Sequence, residues 1–120
     1  MIKHYLNVEI ADTPSKQQLG LMFRDKLEED NGMLFKFKNP QNLKFWGVNT
    51  YIPLSIAFVS EDNIIKKIEY ISPGDESVVS SDYDCDKAIE ANYDFFEKNK
   101  VWIGDKIHIV ESEDTTFIKF

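Results

Sequence analysis

Several chemistries are missing from this sequence. Cys85 is the only cysteine in 120 residues, so no internal disulfide forms and a reducing compartment is the simpler expectation. One cysteine and two histidines, His4 and His108, are too few for a closed zinc site, and no cofactor is implied. The five glycines stand far apart, at 20, 32, 47, 74 and 104, and none belongs to a P-loop, a dinucleotide fingerprint or a nucleophile elbow. No apolar run approaches the roughly 20 residues a bilayer-spanning helix needs, and the N-terminus carries none of signal-peptide length. The expectation is a soluble, cytoplasmic protein with no membrane partner.

Positive charge is scarce as well. Lys plus Arg number 14 against 21 Asp plus Glu, for a net charge of −7. Residues 60–99 hold 11 acids and 4 bases, which accounts for the whole excess. A stripe of bases able to release counterions from phosphates is lacking, so nucleic acid is disfavoured as a partner, and an acidic surface repels anionic lipid. Arginine is rarest of all, with Arg24 alone beside 13 lysines. Where lysine is the default cation, a retained guanidinium points to a task needing a planar, two-pronged donor, such as gripping a carboxylate.

The chain does hold enough apolar material for one core. With 42% hydrophobic residues it folds without staples as a single domain over residues 1–120. Period-two alternation predicts a strand at 5–10, with Leu6, Val8 and Ile10 on one face. Thr13 as N-cap, Pro14 at the first position and Gly20 as the stop predict a short helix to about Leu19. Residues 24–32 read as a polar loop pinned by Leu27 and closed by Asn31-Gly32, leading to a strand at 33–37. After a turn at 39–42 come apolar runs at 45–51 and 54–59, with Pro53 at a bend, then a hairpin through Glu61-Asp62-Asn63 into 64–71. The polar stretch 72–86 reads as a long loop, residues 88–91 fit strand or helix, and 93–98 fit a short helix ending at a left-handed Asn99. Gly104-Asp105 turns the chain into Ile107 and Ile109, and 116–120 forms a last strand or frays.

Three groups of residues carry candidate chemistry. Asp82, Asp84 and Asp86 alternate, so an extended chain puts three carboxylates on one face for a hard cation; against this, the calcium-hand template fails at Lys87 and Tyr93, and a solvated loop is the plainer account. Cys85, flanked by two of these acids, should have a raised thiol pKa and make a poor nucleophile. Phe45-Trp46-Gly47-Val48-Asn49-Thr50-Tyr51 offers a ring, a flexible glycine and adjacent amide and hydroxyl groups to a ligand, or is simply a core strand.

Taken together, Gly20–Arg24 through Gly32–Phe35, Phe45-Trp46 with Asn49–Leu54 and Ile56-Ala57-Phe58, and Ile103-Gly104-Asp105 resemble the family called domain of unknown function 192, from about Val8 to Ile109. The resemblance implies a mainly β fold, a partly open barrel or meander with two short helices, and no established activity. Gly47 and Val48 depart from the family's Trp-Met-Lys-Asn-Thr pattern, and Ser55 stands where Asp is common. Arg24, Asn49, Thr50 and Glu90 match its polar positions. The resulting expectation is an Arg24–Glu90 pair near Trp46, Asn49 and Thr50, acting as a ligand site or as a clamp that holds loop 24–31 on the barrel. No nucleophile-base pair is legible. The leading reading is a non-enzymatic binding module for a small molecule or peptide, and the alternative is an interaction subunit using a strand edge or the acidic loop 73–86.

Overall fold

The computed structural model describes residues 4–120. The chain forms β1 (Tyr5–Ala11), α1 (Pro14–Leu19), β2 (Asn31–Phe45), β3 (Leu54–Val59), β4 (Ile65–Ile71), β5 (Val79–Asn92), α2 (Phe95–Lys98), β6 (His108–Glu111) and β7 (Thr116–Lys119). These strands make one seven-stranded sheet in the order β4-β3-β5-β2-β1-β7-β6. Only β1 and β2 run parallel, and α1 lies in the crossover between them. The sheet does not close, but Ile64 bridges to Lys106, and Ile65 exchanges hydrogen bonds with Gly104 and Asp105, so its two ends approach at one corner. This matches the expected mainly β, partly open barrel with two short helices.

Alternation along the central strands builds two cores, one on each face. Leu34, Ala57, Ile89 and Ala91 pack with Leu6, Phe95, Phe96 and Ile118 on one side. Met33, Phe35, Ile56, Phe58 and Ala88 pack with Leu21, Leu43 and Ile52 on the other. Local signals placed several elements correctly. The Thr13 hydroxyl accepts the Lys16 N–H, Pro14 opens α1, and Gly20 ends it at φ +49°. β3 and β4 form the hairpin, with Asn63 in its turn at φ +67°. Residues 116–119 do not fray, because β7 is held between β1 and β6.

Four expectations need correction. The stretch 72–86 is a loop only in its first part: from Val79 it belongs to β5, which continues through the ambiguous 88–91 as strand. β2 runs on through Pro40, and the register shifts between Lys36 and Gln41 and again between Asn42 and Lys44 absorb the predicted turn as bulges. Residues 46–51 form a turn instead of a strand, since Thr50 donates back to the Gly47 carbonyl. After α2, Asn99 caps the Phe95 carbonyl with its side chain at 2.8 Å, and the left-handed position falls on Lys100.

Candidate functional site

Strand register decides the site. Met33 on β2 faces Glu9 on β1 and Glu90 on β5, and Glu90 in turn faces Ile56, which faces Glu69 on β4. Side chains paired across strands share a face, so Glu9, Met33, Glu90, Ile56 and Glu69 form one transverse row. Glu9 and Glu90 are two strand spacings apart, about 10 Å. Their surroundings differ sharply.

Glu90 is only 5% exposed, and no described residue donates a hydrogen bond to its carboxyl or forms an ion pair with it. Burial alone pushes its pKa up from the ordinary 4.5 to about 8, so it is mostly protonated at neutral pH. It lies on the wall of a cavity of about 260 Å³ whose lining also includes Gln17, Leu21, Met22, Phe37, Lys44, Phe45, Trp46 and Thr50. Trp46 is half exposed, whereas Thr50 is buried.

Two turns frame this cavity, and each depends on the other. Gly20 and Phe23 both adopt positive φ, and the Phe23 N–H donates to the Asn49 carbonyl at 2.8 Å. Asn49 is itself left-handed at φ +57°, a conformation its short amide side chain tolerates. Gly47 then docks on the 72–75 loop, donating to the Asp75 carbonyl and accepting from Gly74. A Cβ at Gly47 would lie 2.3 Å from the Ser72 carbonyl oxygen, so this glycine serves close approach, not flexibility. On the other wall Gln17 fastens α1 to the sheet through the Ala11 and Lys36 carbonyls, at 3.3 and 2.7 Å.

Arg24 does not reach Glu90. Its guanidinium binds Glu9 with two prongs, the second at 2.9 Å, which holds the carboxylate pKa low and the guanidinium pKa high. The expected two-pronged grip on a carboxylate is present, but its partner is Glu9 and it fastens the start of loop 24–31 to β1. Asn92 holds the middle of the same loop through the Leu27 and Glu28 carbonyls. Of the five predicted site residues, Trp46, Thr50 and Glu90 line the cavity together; Asn49 supports it from the turn, and Arg24 stands outside. Gln17 and Lys44 line the cavity too, and neither belongs to a motif that would single it out in the sequence. The three aspartates do not gather either, since Asp82 pairs with Lys67 and Asp86 with Lys87. Among the described residues no group of three or more His, Cys, Asp or Glu could hold a metal ion. No helix of the described residues is long and apolar enough to cross a membrane.

The model of the uncharacterised family DUF192, described as Uncharacterized ACR, matches residues 2–109. The chain belongs to the DUF192 family. Two solved structures share the DUF192 chain's fold closely. One is a candidate transcription regulator from Sinorhizobium meliloti 1021, 30% identical over 88% of this chain and 92% of its own, with a TM-score of 0.81. The other is a protein of unknown function from Novosphingobium aromaticivorans DSM 12444, 34% identical over 86% of this chain and 74% of its own, with a TM-score of 0.83. No curated protein matches the chain. In this DUF192 protein the three family departures do not share a site: Gly47 and the half-buried Val48 lie in the turn beside Gly74, and Ser55 lines a groove with Tyr70 and Trp102.

Proposed function

We propose that this DUF192 protein is a non-enzymatic binding module whose small-molecule site is the cavity between α1, the 20–23 turn and the 46–50 turn. One observation carries the reading: Glu90 places an unpaired carboxyl on the cavity wall. Among the described residues no fully buried side-chain oxygen lacks a partner, so the Glu90 carboxyl opens onto the cavity space, and what it lacks there is a partner from the protein. Uncompensated polar groups in concave sites are the usual mark of a binding role. Nothing near Glu90 forms a nucleophile-base pair, so the reading stops at binding. A net charge of −7 argues against nucleic acid as the ligand of this chain.

The test is a fragment screen followed by amide NMR chemical shifts on the wild-type chain. Shifts should concentrate on Gln18, Leu21, Trp46, Thr50 and Glu90, and Trp46→Ala should abolish them. Fragments that perturb only other surfaces would refute the assignment. A second reading, an interaction subunit, is favoured by the row of exposed Tyr70, Tyr93, Trp102 and Ile103 beside the edge strand β4. It predicts concentration-dependent self-association or peptide capture that Trp102→Ser removes, with the Glu90 cavity unaffected.

A further inference from the structure

We propose that the cavity selects a small organic cation, an ammonium or guanidinium head group seated against Glu90 and the Trp46 ring. The inference rests on the reading of the cavity as a binding site and adds the chemical class of its ligand.

The lining offers acceptors and π-faces far more than donors. Glu90 is the only acid among its lining residues, and no cation of the described residues pairs with it. The Gln17 amide nitrogen is already spent on two backbone carbonyls, which leaves its side-chain oxygen as an acceptor. Thr50 adds a hydroxyl whose only partner among the described residues is the Val48 carbonyl, at a marginal 3.5 Å. Phe37, Phe45 and Trp46 supply aromatic surface of the kind that attracts a desolvated cation. Once the carboxyl has ionised, a ligand that brings both N–H donors and positive charge completes every one of these groups, whereas an anion is repelled by the carboxylate and a neutral ligand leaves its charge uncompensated.

The charged neighbours bear this out. In the transverse row, Glu9 is neutralised by Arg24 and Glu69 lies 3.5 Å from Lys67. β3 contributes the apolar Ile56. The α1 and turn residues that line the cavity carry no charge, and Lys44 on β2 is exposed and forms no ion pair with Glu90. Lys44 therefore belongs to the rim, where it can meet an anionic tail while the cationic head goes deep.

Binding of a permanent cation requires the Glu90 carboxylate, so the proton held in the empty cavity must leave for solvent. Apparent affinity is the intrinsic affinity scaled by the deprotonated fraction. For a group titrating at about 8, that fraction rises about fifty-fold between pH 6 and pH 8. The experiment titrates the wild-type chain with methylguanidinium and n-butylammonium, and with butyramide and butyrate as matched neutral and anionic probes, following amide shifts at about pH 6, 7 and 8. Both cations should shift Trp46, Thr50 and Glu90, bind tens of times more tightly at the highest pH, and lose binding in Glu90→Gln. Glu90→Asp should retain weakened binding with the same pH trend, which separates charge from fold. If butyramide or butyrate occupies the same residues and the cations do not, the cation class is wrong and the cavity reading stands. If the cations bind with pH-independent affinity or survive Glu90→Gln, Glu90 is not their counterion and the proposal fails. If no probe moves any cavity amide, the cavity reading fails with it.

Discussion

Replacing Glu90 by Gln keeps the side chain's shape and removes its titrating proton, which makes the consequence of burial measurable. In the folded chain the carboxyl titrates at about 8, against 4.5 ordinarily. Between those values the folded state holds a proton that the unfolded chain has released, so stability falls as pH rises. Below the lower value both states are protonated and the contribution is fully present; above the higher value both are ionised and it is lost. Each pH unit in the window removes about 1.4 kcal/mol, which accumulates to roughly 5 kcal/mol. A typical domain is stable by only about 5–15 kcal/mol, so the effect is large. The assay is urea unfolding of wild type and Glu90→Gln from about pH 5 to pH 9, taking the difference in unfolding free energy at each pH. Glu9, Asp62, Asp75 and Asp82 are held below their ordinary values and occur in both proteins, so they cancel in the difference. The two proteins should agree closely at the acid end and diverge steadily in favour of Glu90→Gln. Parallel curves would refute the reasoning, because they would mean that Glu90 reaches water or a cation when folded.

Arg24→Lys should lower stability by about 0.5–1 kcal/mol, through loss of the two-pronged bond to a half-exposed Glu9, and leave probe binding in the cavity unchanged; weakened binding at unchanged stability would return Arg24 to the site. Gly32→Ala should lower stability by about 1–3 kcal/mol, since its Cβ would sit 2.2 Å from the Glu90 carbonyl oxygen and 2.9 Å from Leu6. An unmoved urea midpoint would contradict that close packing. Asn49→Gly should be nearly neutral and Asn49→Ala should cost about 1 kcal/mol, because φ is +57° there; equal effects would show that the turn is not held in this conformation. Cys85 is fully buried and its thiol pKa is pushed up mainly by that burial. Iodoacetamide should label it only as fast as the chain opens, and rapid native-state labelling would contradict its burial.

The elements legible in the sequence are those whose cause is local. The caps of α1, the alternation of β1 and the Asn63 turn of the β3–β4 hairpin all lie within a few residues of what they determine. The first half of β5 was not legible, because most of Ser80 to Asp84 points to solvent and reads as a loop. Those residues are strand because β2 lies beside them, with the Asn42 side-chain oxygen accepting from Ser80, Ser81 and the Asp82 N–H to fix a bulge. Trp46 to Tyr51 failed in the opposite direction: its apolar content suggested a strand, while contacts of Gly47 and Asn49 with segments distant in sequence make it a turn. The site followed the same division. Residue types drew attention to Trp46 and Thr50 and the family resemblance to Glu90, but which acid meets Arg24 depends on the register of three strands, which no local pattern encodes.

That register gives two carboxylates on one face opposite fates. Glu9, on β1 and half exposed, receives the chain's one guanidinium and ionises easily. Glu90, two strands away and covered by α1 and the 46–50 turn, receives none and holds its proton to about 8. Such divergence of like groups is how an environment assigns them different work. Had Arg24 reached Glu90, the buried charge would be satisfied within the chain and the cavity would have no demand left to place on a ligand. Spent on Glu9, the arginine instead keeps loop 24–31 in place and leaves the cavity's carboxyl without a protein partner, so the clamp and the candidate site follow from a single choice of partner.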